Sequence, residues 1–554
     1  MQSITQGAPI LRVHPEDNLI VALQDLSAGM EVALPGGKVV LQETIPAKHK
    51  FAEVDFQPGD AIYMYGITVG VATQAIAAGS RITIDNISHH TDGVDAEAGA
   101  FQWQAPDVSA FEGRTFEGFH RADGQVGTRN YWLVIPLVFC ENRNIEVIKD
   151  TMLEALGYGV KPADRFDLSK MIDAYRSGAS EEDLLNVSVH HPAQDSEADR
   201  VFPQVDGIKF LTHDGGCGGI RQDSDTLCRL LAGYLTHPNV AGATILSLGC
   251  QNAQIPILKD ALAKLDPAFS KPLYFHEQQQ SRSEVAFIEA AIRTTFVGLT
   301  EANKAERAPA PLSKLTLGLE CGGSDGFSGI SANPALGYAS DLLVALKARV
   351  ILAEFPELNG VEPEIVKRCQ TADSAERFKQ LMKDYAAAAV AVGSGFDMNP
   401  SPGNIKDGLV TDAMKSAGAA KKGGTSPVVD ILDYTEPARQ SGLNLLCTPG
   451  NDVESTTGLA GSWANVMVFT TGLGTPTGNP IAPVVKMSSN TSLAERMPDI
   501  IDVNAGQIIT GEATIESLGT QLLERIIEVA NGDRTRAEIL GQDDFIPWKR
   551  GISL

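Results

Sequence analysis

Five short apolar runs in this chain each empty straight into a polar, glycine-punctuated turn, and this repetition limits the fold more than any other feature. KFLTH leads to Asp214-Gly215-Gly216-Cys217-Gly218-Gly219, ILSLG to Cys250-Gln251-Asn252, and LGLE to Cys321-Gly322-Gly323-Ser324-Asp325. NLLCT leads to Pro449-Gly450-Asn451-Asp452, and VMVFT to Thr471-Gly472-Leu473-Gly474. Elsewhere Leu227, Leu230, Leu231, Tyr234 and Leu235 follow a helical period, as do Ile515, Leu518, Leu522 and Ile526. Strand-like and helix-like stretches in alternation predict a parallel sheet covered by helices. In such a sheet ligands bind outside the carboxyl ends of the strands. Glycines there let backbone N–H groups approach an anion closely. The turns thus predict a polar rim suited to a small polyanionic or polyhydroxylated ligand.

The seven cysteines include no close pair, and four of them follow apolar runs: Cys140, Cys217, Cys250 and Cys321. Widely spaced and odd in number, they read as reduced thiols of a cytoplasmic protein rather than a disulfide framework. The opening MQSITQGAPILRVHPED has a proline and charges where a signal peptide needs an apolar stretch. No run approaches the length of a membrane span. A formal charge of −24 excludes the basic footprint that non-specific nucleic-acid binding requires. It also means that an anionic substrate must be held by local cations.

Residues 8–92 carry short β-prone runs broken by Gly, Pro and Asp, so 1–92 is predicted as a small β domain. Residues 93–111 have no periodicity and read as a linker. A middle α/β domain spans 112–305, with a polar insertion of helix and loop over 159–206. Charges and prolines at 303–313 break the pattern, and the last domain, a mostly parallel Rossmann-like sheet, runs over 306–554. His190 and His191, inside the insertion, read as part of a solvated loop.

His213 and Cys217 share one turn at a spacing workable for a metal pair, whereas Cys228, Cys369 and Cys447 read as small core residues. Arg129 and Lys486 sit among small or apolar residues, either one placed to clamp a carboxylate. The GLGTPTG run misses the dinucleotide-binding spacing, and no Walker A, HExxH, CxxC or GxSxG sequence occurs.

The longest distinctive segments are FEGFHRADGQVGTRNYWLVIP, THDGGCGG, LGLECGGSDGFSGISANPALG, NPSPGNIKDG, KGGTSPV and the run from Cys447 to Thr491. Together they resemble the altronate/galactarate dehydratase family, and PAKHKFAEVDFQPGDAIYMYGITVGVAT resembles that family's SAF (β-clip) domain. The resemblance implies an SAF domain, a middle domain that mediates dimerisation, and a Rossmann-like C-terminal domain. It also implies dehydration of a sugar acid dependent on Fe²⁺, with Mn²⁺ sometimes replacing it. The altronate branch fits this C-terminal half better than the galactarate branch, with 2-dehydro-3-deoxy-D-gluconate as product.

Two departures bear on substrate. Many family members carry an HxHN stretch closing the SAF domain, where this chain has Thr83-Ile84-Asp85-Asn86; if those histidines help form the active site, His49, Asp85, His89 or His90 must serve here instead. Many relatives also have a glycine where Trp463 stands and an arginine where Leu473 stands.

Removing the C2 proton of a 2,3-dihydroxy acid requires neutralising its carboxylate and a base that titrates near working pH. His213, His49 and Lys486 are the catalytic candidates. Cys217, Cys250, Cys321 and Asp452 form the pool of metal ligands, with a labile iron–sulfur cluster as an alternative to Fe²⁺. Arg129, Asn130, Ser324, Asp325, Asn333 and Asn490 are expected to hold substrate. Other readings are a galactarate dehydratase, a lyase for another hydroxy acid on the same scaffold, and a non-catalytic sugar-acid-binding protein.

Overall fold

The computed structural model describes every residue except 1–3, 5, 35–36, 92–97, 100, 159–163, 193–199 and 554. Three units follow one another along the chain. The first, up to Ser88, is all β: small antiparallel sheets built from Ile10–Leu11, Leu19–Ala22 and Lys50–Ala52, from Glu31–Leu34 and Gly37–Val40, and from Ala61–Met64, Ile67–Ala72 and Ile87–Ser88.

The middle unit holds four parallel strands in the spatial order Gly207–Phe210, Tyr131–Pro136, Val240–Ser247, Leu273–Glu277. Tyr131–Pro136 and Val240–Ser247 are buried along their whole length, as strands covered on both faces must be. Tyr131–Pro136 comes first in the chain, and its successors lie on opposite sides of it, so the sheet is doubly wound. Its switch point falls between Tyr131–Pro136 and Val240–Ser247, beside the turns that bear Cys140 and Cys250.

The last unit has seven strands, all parallel, ordered Val428–Leu432, Gly442–Leu446, Arg349–Leu352, Thr316–Cys321, Val466–Thr471, Val484–Ser488, Val503–Asn504. Here the order reverses between Thr316–Cys321 and Val466–Thr471, and the crevice above them is bounded by the loops 322–331 and 472–480. Helix Ile515–Ala530 starts at a Thr514–Ser517 capping box and buries Leu518, Leu522 and Ile526. Helix Arg221–Thr236 buries Leu227, Leu230, Leu231, Tyr234 and Leu235, as their spacing predicts.

Two regions differ from the sequence reading. The charged, proline-rich segment at 303–313 is not a plain break: Arg307–Pro311 pairs antiparallel with Thr115–His120 and stitches the middle unit to the last one. His190 and His191 lie on a strand, His190–Pro192, paired with Asp164–Phe166, rather than on a loop.

The two parallel sheets turn their carboxyl edges toward one crevice. Helix Asp452–Gly461 lies along helix Arg221–Thr236 so closely that a Cβ on Gly233 would strike the Gly461 backbone. The residues after Gly541 thread between the units: Phe545 packs edge-on against His213 and Tyr234, Lys549 pairs with Asp214 at 2.6 Å, and Ser553 bridges Gly219.

Candidate active site

Thr316–Cys321 delivers Glu320 and Cys321 to the crevice floor, both fully buried. The neighbouring strand Arg349–Leu352 leads into Glu354, held at φ 68°, a left-handed backbone that residues other than glycine rarely adopt. That strain aims the Glu354 carboxylate at the Cys321 N–H, 3.2 Å away. The buried Lys422 ammonium donates to Glu354 Oε2 and to Cys321 Sγ, each at 2.7 Å. Cys321 in turn donates to Glu357 Oε2 at 3.1 Å, and Lys415 pairs with Glu357 at 2.6 Å. Burial and the Glu354 charge drive the thiol well above its usual pKa, so it is protonated. Burial also works against ionised Glu357, but Lys415 and Lys422 outweigh it and keep the carboxylate charged.

Cys321, Glu354 and Glu357 are the only three such side chains, among the described residues, whose ligand atoms lie within 4.8 Å of one another. They do not fit Fe²⁺ or Mn²⁺ as arranged. Lys422 already occupies the position a cation would take, and the sulfur carries its proton, whereas a metal ligand must be thiolate. Two lysines balance two carboxylates, and the group is closed.

Beside it stands a different pair. Lys486, on Val484–Ser488, is fully buried, and its Nζ has no hydrogen-bond partner. The ammonium nitrogen lies 3.4 Å from the centre of the Phe469 ring. Asp452 opens helix Asp452–Gly461 and presses against Gly322, where any Cβ would overlap both its carboxylate and the Phe469 ring. Phe469 and Gly322 thereby bring Asp452 and Lys486 into one packed group. Burial pushes the Lys486 amine down to about 7, with Asp452 its largest opposing influence. Burial, then Glu354 and Glu357, push the Asp452 carboxyl up to about 7. An acid and an amine that both titrate near neutrality can exchange protons with a substrate.

The β unit closes the other side. Lys48, itself at φ 74°, reaches Asp325 Oδ2 at 3.1 Å and Asp407 Oδ1 at 2.9 Å. Lys50, fully buried, donates to the Gly408 carbonyl at 2.6 Å, and burial lowers its pKa to about 7. His49 points elsewhere, its Nε2 meeting the Lys406 carbonyl at 3.0 Å. His89 pairs with Asp412, and Thr411 donates to the Val69 carbonyl at 2.7 Å.

Several expected substrate ligands are occupied by the fold. Asp325 Oδ1 accepts from Phe327 N, Ser328 N and Oγ, and Ser489 Oγ, and its Oδ2 from Asn490 and Lys48. Asn490 also caps helix Thr491–Arg496, and Asn333 spans Thr470 Oγ1 and the Gly418 carbonyl. Ser324 is buried, its carbonyl taken by Asn404. These residues shape the rim and orient Lys48.

Arg129 and Asn130 require a correction. They precede Tyr131–Pro136 and so lie at the amino edge of the middle sheet, opposite the crevice. The Arg129 guanidinium spends its donors on both Glu538 oxygens and on the Thr128, Val529 and Asp533 carbonyls. The Asn130 amide is divided among Gln204 O, Ala302 O and Arg121. Arg129 ties the middle unit to the last, Asn130 braces the middle unit internally, and neither is free to hold substrate.

The proposed metal pool separates into two groups. Cys321 and Asp452 belong to the last unit, while Cys217 and Cys250 belong to the middle one, where Cys140 joins them; all three of these thiols are exposed. His213, beneath them, is buried, with Nε2 donating to the Pro136 carbonyl at 2.8 Å and Nδ1 accepting from Gly215 N at 3.0 Å. Burial lowers its pKa to about 4, leaving a neutral ring with both nitrogens engaged. It holds the glycine turn in place rather than acting as a base. A cleft of about 540 Å³ opens over Phe139, Asn142, Thr212, His213 and Asp214.

Sequence reasoning missed Lys48, Lys50, Glu354, Glu357, Lys415 and Lys422. Lys48 and Lys50 flank His49 in a short basic run, which was a usable signal. Trp463 sits at φ 77°, the backbone glycine favours, with its indole donating to Thr236 at 2.9 Å.

Three family profiles match this chain: the altronate/galactarate dehydratase SAF domain over residues 8–90, the D-galactarate dehydratase/altronate hydrolase second domain over 118–303, and the D-galactarate/altronate dehydratase C-terminal domain over 312–553. Similar curated proteins include altronate dehydratase of Escherichia coli (strain K12), 32% identical over 98% of this chain and 99% of that one. Altronate dehydratase of Bacillus subtilis (strain 168) is 31% identical over 98% and 99%. Galactarate dehydratase (L-threo-forming) of Escherichia coli (strain K12) is 31% identical over 96% and 94%.

Proposed function

The chain belongs to the altronate/galactarate dehydratase family, and on that premise we propose that it is a hydro-lyase converting D-altronate to 2-dehydro-3-deoxy-D-gluconate and water. The observation that supports the chemistry most directly is the unpartnered Lys486 amine packed with Asp452. Uncharged near neutral pH, Lys486 Nζ takes the C2 proton. Asp452, held protonated by burial, gives its proton to the departing C3 hydroxyl. The resulting enol ketonises to the 2-keto acid. Lys48, oriented by Asp325 and Asp407 and partly open to the crevice, meets the substrate carboxylate.

Iron is part of this proposal, as Fe²⁺ with Mn²⁺ as a substitute. The donors suited to iron are the exposed thiols of the middle unit, either as an ion held by one or two of them or as an iron–sulfur cluster held by all three. When bound, the metal supplies Lewis-acid polarisation of substrate oxygens. Cytoplasmic location and a homodimer formed through the middle domain belong to the same reading. Among the described residues no helix is long and apolar enough to cross a membrane.

An anaerobic assay of D-altronate, D-galactarate and related acids, with and without Fe²⁺, tests the proposal. Formation of a 2-keto-3-deoxy acid from altronate is expected. Turnover of galactarate alone transfers the assignment to the second branch, which a relative of nearly equal identity favours.

A further inference from the structure

Cys140, Cys217 and Cys250 come from three turns that the fold braids together. The strands feeding those turns are neighbours, with Tyr131–Pro136 between Gly207–Phe210 and Val240–Ser247. Phe139 N donates to the Gly215 carbonyl at 3.1 Å, and Ala253 N to the Gly216 carbonyl at 3.0 Å. Gly216, at φ 94°, lies so near Leu137 and Val138 that a Cβ would strike their backbone. The turns therefore interlock at the switch point of the middle sheet, where a doubly wound fold binds its ligand.

Free thiols are ordinarily among the most buried side chains. Here four of the seven, Cys228, Cys321, Cys369 and Cys447, are buried, and the three that are exposed are the three at this rim. Gln279 Nε2 donates to Cys250 Sγ at 3.3 Å, an amide directed at sulfur. Behind the rim, Glu141 Oε1 and Asn142 Oδ1 are buried without partners.

A single ion bound by all three thiols at once is the wrong occupant. Tetrahedral thiolates about one metal stand about 4 Å apart, given a metal–sulfur bond of about 2.3 Å. The three rim thiols are not mutually within 4.8 Å. A cubane cluster, whose ligands bind at separate corners, spreads its sulfurs over a wider triangle than one ion does.

We propose that Cys140, Cys217 and Cys250 ligate a four-iron, four-sulfide cluster through three thiolates, leaving one iron open to the interdomain crevice. The assignment deepens the dehydratase reading and rests on it only for the role of that open corner. The crevice is shared with the acid–base pair: the helix that Asp452 begins packs against helix Arg221–Thr236, and Asp544, which accepts the Gly478 N–H at 2.9 Å, adjoins the Phe545 that touches His213.

The test uses full-length protein reconstituted anaerobically with iron and sulfide, read by visible absorption and by iron and acid-labile sulfide per chain. Wild type should carry about four of each. Cys140→Ser, Cys217→Ser and Cys250→Ser should each reduce bound sulfide to about a tenth or less, with the circular dichroism spectrum unchanged because these side chains are exposed. Cys369→Ala, at a buried thiol, should keep the colour. Iron bound without sulfide, or colour retained in all three serine variants, overturns the cluster. Altronate dehydration by a colourless, sulfide-free enzyme overturns it and leaves the dehydratase standing. A full cluster in a protein that dehydrates no sugar acid supports the site and removes the dehydratase.

Discussion

Replacing Lys486 with methionine separates catalysis from stability. The amine is wholly buried, lacks a hydrogen-bond partner and has its pKa lowered by burial from the ordinary 10.5 to about 7. An unfolded chain keeps that lysine protonated up to its ordinary pKa, so between these two values the unfolded state binds more protons than the native one. Stability must therefore rise with pH across that window. At pH 7 the lysine costs about 4 kcal/mol relative to a side chain that never titrates, and at pH 9 about 2 kcal/mol. Lys486→Met should thus unfold at higher temperature than wild type at pH 7, and about 2 kcal/mol of that advantage should be gone at pH 9. For a domain of this size that is a narrowing of roughly 4–8 °C between the two thermal transitions. Turnover should be lost at both values. Differential scanning calorimetry at pH 7 and 9, beside a 2-keto acid assay, decides it. A variant less stable than wild type at pH 7, or a gap that does not narrow, refutes a neutralised buried amine.

Asp452→Asn should lower turnover by about 10²–10⁴-fold and remove the alkaline limb of a rate profile that is otherwise bell-shaped around neutrality, as steady-state rates from pH 5 to 9 would show. Lys422→Met leaves Glu354 and the Cys321 thiol without their shared donor and should destabilise the last domain by about 3–5 kcal/mol, measured by chemical denaturation. His213→Ala breaks the link between Pro136 O and Gly215 N, so it should lower the melting temperature as well as activity; an unchanged transition would restore the catalytic reading of that ring. Lys48→Met should raise KM for altronate more than it lowers kcat, since its ammonium is placed to bind a carboxylate rather than to move a proton.

The sheets were legible because their signal is local. All five apolar runs that end in glycine turns are parallel strands, and the turns do line the carboxyl edges. Lys486 stood out for the same reason, as a charge among apolar neighbours. The Cys321 group could not be read this way: Glu354 and Glu357 share one turn, but Lys415 and Lys422 lie some sixty residues later, and only the folded packing pairs their charges. Arg129 shows the reverse error. Its flanking residues suggest an available guanidinium, but the Glu538 carboxylate and two carbonyls that consume it lie some four hundred residues later. Burial of a charge is visible in sequence, whereas the identity of its partner is not.

The segment threading from Phe545 to Ser553 also governs how the two sheets can move. It is anchored to the middle unit through His213, Asp214 and Gly219, and to the last through Tyr434, against which Trp548 packs edge-on. A strap fixed at both ends limits any hinge between them to the slack in nine residues. Proteolysis just before Phe545 would unlatch the halves, and a tag fused after Leu554 would load the same fastening.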